Sequence, residues 1–273
     1  MVRELLIVVA LILFAIAFRA CRRNWSRKLG SFFFLAATFC AFYFLSNRWW
    51  VGLLGVAGLF LLPWIELLTR IRKMRLPREN RLQSLSAPSD ELFPNASRAL
   101  DEMCDAHFEH VGDAAWNWAG MKQFFRLHWN PEERATAAVC LCEQERITFA
   151  FVSITSRGED GQIYRTTNFP FSTTLKEPPE FHWNHVPCER CCFHYMLADH
   201  QRFLERMKVP RAQLVMPDPD EMVSEIEEEM RHQIEYNLAR NYLEPVGEGE
   251  FRYSWKGLFF LWWQFAKDMV RLC

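Results

Sequence analysis

The sequence predicts a membrane-anchored α+β protein: three N-terminal transmembrane helices, a cytoplasmic antiparallel sheet of four to five strands covered by helices, and a C-terminal amphipathic helix. Three observations lead there. Residues 5–68 form nearly continuous apolar runs broken only by short polar connections. Charge segregates around them: residues 1–81 hold 13 Lys and Arg against Glu4, Glu66 and Glu79, a net of +10, which leaves −11 for residues 82–273. From Phe124 onward the apolar period changes from that of a helix to that of a strand.

The first predicted span covers about residues 4–18 and is followed by Arg19, Arg22, Arg23, Arg27 and Lys28. Its neutral N-terminal flank and the cations after it argue for a retained helix over a cleaved signal peptide, which carries its positive charge ahead of the apolar run. The second and third spans, about 29–45 and 49–68, are joined by Ser46, Asn47 and Arg48 alone, so they read as a helical hairpin. Six Lys and Arg lie between Arg70 and Arg81. Both basic stretches belong in the cytoplasm by the positive-inside rule, which puts the N-terminus outside and the C-terminal domain inside. Trp49 and Trp50 then fall at the outer interface and Trp64 near the inner one. Gly52, Gly55 and Gly58, with Ala37 and Ala41, suit close helix packing, including packing against other membrane proteins. Glu66 and Arg70 read as a pair snorkelling at the inner interface.

Residues 82–95 read as a linker and 96–245 as the soluble α+β domain. Its first helix runs through ASRALDEMCDAHFEHV, and four strands follow in QFFRLHW, ATAAVCLC, ITFAFVSIT and QIYRTTN, with EFHWNHV as a fifth at the edge. Helices over about 189–208 and 219–243 complete it, the second opened by Asp218 as N-cap and Pro219 in the first turn. Met222, Ile226, Met230 and Ile234 form its buried side, and the acidic run SEIEEEMRH reads as a solvated face with a Glu227–Arg231 pair.

Chemistry concentrates in HWNHVPCERCCFH, residues 182–194. Cys188, Cys191 and His194 with His185 make a possible tetrahedral zinc set, without the second CxxC or HxxxH pair that structural sites use. The same CxxC spacing allows a thiol-dependent reading, outside the βαβ context such motifs normally occupy. His182 and His185 stand an odd number apart on a strand and point to opposite faces. Cys192 falls on the apolar stripe of the following helix and reads as a buried small hydrophobe, as do Cys140 and Cys142 on their strand. His200, in that stripe, reads as a buried imidazole bonded to a backbone group.

The last element, 250–273, sets Trp255, Leu258, Phe259, Trp262, Phe265, Ala266 and Met269 on one side and Lys256, Gln264, Lys267 and Asp268 on the other. With Trp263, these tryptophans suit a membrane interface; the competing reading is a helix that closes the soluble core. The acidic domain carries no basic stripe and excludes nucleic acid as a partner. The expectation is an integral membrane protein whose cytoplasmic domain serves binding, scaffolding or regulation, with the bilayer as partner and no cofactor. The alternative is a membrane-tethered zinc or thiol protein built on residues 188–194.

Overall fold

The computed structural model describes residues 2–21, 24–83, 94–118, 120–144, 147–187 and 192–272. In chain order the elements are α1 (Val2–Ala20), α2 (Asn24–Ser46), α3 (Trp49–Thr69), β1 (Leu76–Pro77), α4 (Pro94–Asp105), β2 (Glu109–Trp118), β3 (Met121–Asn130), β4 (Ala135–Gln144), β5 (Ile147–Arg157), β6 (Ile163–Thr167), β7 (Phe181–His185), α5 (Phe193–Met207), α6 (Met222–Ala239), β8 (Leu243–Pro245), β9 (Glu250–Tyr253) and α7 (Trp255–Leu272). They divide into two compact units. One holds Met1–Met74, Ser172–Thr174 and Arg252–Cys273; the other holds Arg75–Phe171 and Leu175–Phe251.

In the first unit, α2 and α3 form the predicted hairpin. Asn47 takes the left-handed backbone conformation (φ 53°), which an asparagine tolerates better than most residues, and Ser46 Oγ accepts the Arg48 amide at 3.3 Å to close the turn. Gly52 and Gly55 are buried: a Cβ at Gly52 would lie 2.7 Å from the Phe39 ring, and one at Gly55 would overlap Phe42, whereas Gly58 faces open space. The glycines therefore let α3 lie on the phenylalanines of α2. Gly55→Leu is expected to destabilise the hairpin by about 1–3 kcal/mol, the cost of overpacking. Gly58→Leu should be neutral in the same thermal unfolding of the detergent-solubilised chain, and equal losses in both would remove the packing argument.

Among the described residues two helices are long and apolar enough to cross a membrane, Lys28–Ser46 with 19 residues and Trp49–Lys73 with 25. The expected third, α1, is not among them. It is a 19-residue helix, but Arg3 and Glu4 at one end and Arg19 at the other confine its uncharged run to Leu5–Phe18. Those residues span about 21 Å at 1.5 Å each, against a hydrocarbon core of about 30 Å. The helix packs along α2, with Ala15 buried at 2% exposure and Phe18 stacked on Phe33 at 5.3 Å.

The second unit is built on a six-stranded sheet in the order β2-β3-β4-β5-β6-β7. Neighbours are antiparallel up to β6, while β6 and β7 are parallel, so the sheet is mixed where an antiparallel one was expected. The cause is the connection 168–180, which returns the chain to the starting end of β6 before β7 begins. The sixth strand is β2, which sequence reading merged with the preceding helix. His107 in the left-handed region (φ 60°) ends α4, with the Phe108 amide bonded back to the Met103 carbonyl at 2.9 Å, and the chain leaves as a strand.

Helices cover both faces of this sheet. On one, Ala99 and Met103 of α4 and Phe193 and Met196 of α5 pack on Phe124, Val139, Leu141, Val152 and Ile154. On the other, Met222, Ile226 and Met230 of α6 pack on Trp116, Phe125, Leu127 and Cys140. Each fully buried side chain of this size contributes about 1.5–3 kcal/mol. A small sheet, β1-β9-β8, completes the unit. The N-cap of the predicted last domain helix is present: Asp218 accepts the Asp220 amide at 3.0 Å, ahead of a single 3-10 turn that leads into α6.

Candidate functional site

Of the zinc candidates, Cys188 and Cys191 lie outside the described residues. His185 is exposed at the end of β7 and stacks on Trp183 at 5.8 Å, and His194 is exposed in the first turn of α5. His182 accepts or donates one hydrogen bond with Gln162 at 2.7 Å and stacks on Tyr164. Among the described residues no group of three or more His, Cys, Asp or Glu is placed to hold a metal ion. Cys192 is a half-buried N-cap residue and not the core thiol expected of it. Its thiol and the Phe193 amide both turn to the Glu102 carboxylate; burial and that carboxylate push the thiol pKa up, which leaves it less nucleophilic than a free cysteine. Cys140 and Cys142 are buried packing residues, with pKa values raised by burial, that of Cys142 to about 12.

A buried polar constellation surrounds His200. The imidazole is 1% exposed and bonds two hydroxyls, Ser156 Oγ at Nε2 (3.2 Å) and Thr166 Oγ1 at Nδ1 (2.9 Å), where a backbone partner was expected. The surroundings fix the direction of every proton. Ser156 donates to the Arg134 carbonyl at 3.1 Å, so it accepts from Nε2–H; Thr166 accepts from Asn184 Nδ2 at 3.3 Å, so its hydroxyl donates to Nδ1. Burial lowers the His200 pKa to about 4, against the raising effect of Asp199, which is itself held by Asn184 and Arg202. A serine beside a histidine suggests a nucleophile and its base. Here the hydroxyl is committed to a carbonyl, and Ser156 and Thr166 are as buried as the imidazole. The chain of bonds clips α5 to β5 and β6.

A second cluster lies on β2 and β3. Arg126 makes a bidentate pair with Asp113, 3.1 Å on each arm, and His110 Nε2 meets the same carboxylate at 3.0 Å. Although burial alone would raise the Asp113 pKa, these bonds hold it below the usual aspartate value. His128, 2% exposed and 5.3 Å from the His110 ring, has a pKa lowered to about 4 by burial and by the neighbouring His110 and Arg126 charges.

Sequence reading treated the acidic run of α6 as a solvated face, and the structure corrects this. Glu229 accepts from Arg157 Nη2 and from Arg165 Nη2, the latter at 2.6 Å; Glu225 accepts from Arg157 Nε at 3.1 Å; Glu227 accepts the Leu82 amide at 2.6 Å. Arg231 pairs with Glu228 and not with Glu227. A signal was present: Glu225 and Glu229 fall in the same stripe as Met222, Ile226 and Met230.

The tryptophans expected at the membrane interface divide. Trp49, Trp50, Trp255 and Trp263 are exposed, whereas Trp64 and Trp262 are half-buried against each other at 6.4 Å. Helix α7 packs on α2 and α3 within the first unit, the one partner neither reading of the tail considered. Trp262 Nε1 donates to the Phe60 carbonyl at 2.6 Å, Phe259 meets Trp64 edge-on at 4.8 Å, and Arg72 lies 5.3 Å over the Trp255 ring. Leu258 and Leu261 are fully buried, and Gln264 and Asp268, expected on the polar side, are buried too. Asp268 is compensated by accepting the Ser172 amide at 2.9 Å and its hydroxyl at 2.7 Å. Trp255, Phe259 and Trp263, four residues apart, form the stripe of α7 that stays exposed. The chain matches no family model, no curated protein and no solved structure.

Proposed function

We propose that this is an integral membrane protein held by the α2–α3 hairpin, with the mixed-sheet unit in the cytoplasm as a binding or scaffolding module. One observation carries the reading. Most of the exposed large apolar side chains among the described residues belong to α1, α2 and α3, including Leu53, Leu54, Leu61, Leu62 and Ile65 on α3, each more than half exposed. A core helix of a soluble protein buries such residues, and an apolar surface of this extent in water would associate. In hydrocarbon it is the surface a spanning helix requires, its backbone bonds satisfied internally. The basic flanks at residues 19–28 and 70–81 then orient both hairpin ends toward the cytoplasm, and Ser46–Arg48 faces out. The exposed stripe of Trp255, Phe259 and Trp263 suits the inner interface, where α7 lies beside the hairpin.

What the polar clusters do supports the binding reading. The networks around His200 and Glu229 join elements of the sheet unit to one another, and each of their hydroxyls and carboxylates is committed to a partner in the chain. Orientation is testable with the native cysteines, because Cys21 and Cys104 are exposed and belong to the cytoplasmic side. A membrane-impermeant maleimide should label the wild-type chain only after cells are permeabilised, whereas Ser46→Cys should label in intact cells. Wild-type labelling in intact cells would reverse the orientation.

A further inference from the structure

Beside α7, the first unit leaves a cleft of about 330 Å³, its open mouth included, lined by Arg19, Ser31, Phe34, Leu35, Leu59, Phe60 and Met269. Five of these are apolar, and four helices contribute. Arg19, in the last turn of α1, is the one cation of the lining among the described residues. Its aliphatic stem crosses α2 at Gly30, where a Cβ would lie 2.6 Å from Arg19 Cγ, so the glycine is what admits it. The guanidinium then sits 5.5 Å over the Phe34 ring. Its Nε is buried and has no hydrogen-bond partner among the described residues. An unbonded donor on a cation, facing apolar walls, costs free energy unless an acceptor arrives.

We infer that this cleft binds one acidic glycerophospholipid, its phosphate on Arg19 and part of an acyl chain along Phe34, Leu35, Leu59, Phe60 and Met269. The inference rests on the membrane reading above and adds a lipid class to it. Depth agrees: Arg19 is in the last turn of α1 and Ser31 lies about one turn inside Lys28, where the apolar window of α2 begins, so the guanidinium stands at the inner edge of the hydrocarbon, within reach of an inner-leaflet phosphate. Charge agrees as well, since Arg22, Arg23, Arg27 and Lys28 follow in sequence and raise the local concentration of anionic headgroups. An arginine offers a phosphate two parallel N–H donors, and although phosphatidylcholine carries the same phosphate, its choline cation is repelled by Arg19 and the basic residues that follow, which favours the acidic headgroup. The cleft is open along its mouth and too small to enclose a lipid, so only part of one chain lies against its apolar wall and the rest of the molecule remains in the bilayer.

The test uses the full-length chain in nanodiscs of phosphatidylcholine with or without phosphatidylglycerol of identical chains, released into the gas phase for native mass spectrometry. The wild type should retain one phosphatidylglycerol, in about tenfold preference over phosphatidylcholine. Arg19→Gln should lose that preference, Arg19→Lys should keep most of it, and Leu59→Trp should lower retention of both lipids by filling the cleft. Equal retention of the two lipids by the wild type, or an Arg19→Gln variant that retains phosphatidylglycerol unchanged, overturns the proposal. So does displacement of the lipid by inorganic phosphate, which would show a headgroup site without a chain site. Carbonate extraction of the source membranes separates the two readings. A chain that stays in the membrane and retains no lipid removes this inference alone, whereas a chain released by carbonate removes the membrane reading and this inference with it.

Discussion

The stability of the sheet unit should fall by roughly 6 kcal/mol as pH drops from 6.5 to 4, because two histidines are buried neutral. His200 and His128 both have folded pKa values near 4 against an ordinary 6.5. The unfolded chain binds a proton at each site in this window and the folded chain does not, so stability rises with pH between the two values and is lost as pH falls. A shift of this size is worth roughly 3 kcal/mol per histidine, and below pH 4 both states are protonated, so the loss levels off. Glu102 and Asp113 have lowered pKa values, so their stabilisation is lost below about 4.5 and 3.8, which adds to the loss only at the acid end of this window and beneath it. Glu225, whose pKa burial raises, acts in the opposite sense and offsets part of the loss. Against a typical domain stability of about 5–15 kcal/mol, the histidine effect removes a large share of what holds the unit folded. The measurement is pulse-labelled hydrogen exchange of the detergent-solubilised chain across urea series, read on peptides from β4 and β5. The urea midpoint should decline steadily below pH 6.5, and His200→Gln should roughly halve the slope. A slope unchanged in that variant would locate the titration elsewhere.

What sequence could say about this chain depended on whether a pattern names its partner. The hairpin was legible because apolar length, a three-residue connection and flanking cations each constrain one helix pair. The strands from β3 to β6 were legible because their period of two survives burial. Helix α1 was overcounted because hydropathy accumulates along a run whose charged ends shorten it. Strand β2 was lost because EHVGDAAWNW begins with the same residue types that end α4, and a histidine in the left-handed region gives no sequence signal. The parallel placement of β7 depends on the path of residues 168–180, which no local pattern encodes. The tail shows the same limit. Its apolar face was legible, but a face does not state what covers it, and Asp268 looked solvated because its acceptor role toward Ser172 is 96 residues distant. At the candidate site, the period of three in residues 182–194 drew attention to a segment whose described histidines do not converge. His200 stood out only as one polar residue in an apolar stripe, while its partners Ser156 and Thr166 are ordinary strand residues until β5 and β6 pair.

Glu229→Ala should cost the sheet unit about 3 kcal/mol or more, the largest effect expected of a single side-chain truncation outside the apolar core. Its carboxylate is 10% exposed and stands between two guanidiniums, those of Arg157 and Arg165, which are 26% and 19% exposed. Arg165 is further fixed by donating to Thr155 Oγ1 at 2.9 Å and by lying 5.3 Å over the Trp183 ring, so it cannot leave for water without breaking both contacts. Removing Glu229 leaves two like charges facing each other across a partly desolvated gap, with Glu225 able to serve only Arg157. Breaking one partner of a buried ion pair typically costs 3–5 kcal/mol, mostly the cost of the charge left behind, and the residual exposure of the arginines argues for the lower end. That origin makes a further prediction that a simple lost contact does not. Replacing all three residues, Arg157→Met, Arg165→Met and Glu229→Met, removes the stranded charges and should be less damaging than Glu229→Ala alone. Urea midpoints read on β5, β6 and α6 peptides compare the two directly. If the triple variant is the less stable, the cluster stabilises through net attraction, and α6 is held to the sheet by its charges more than by Met222, Ile226 and Met230.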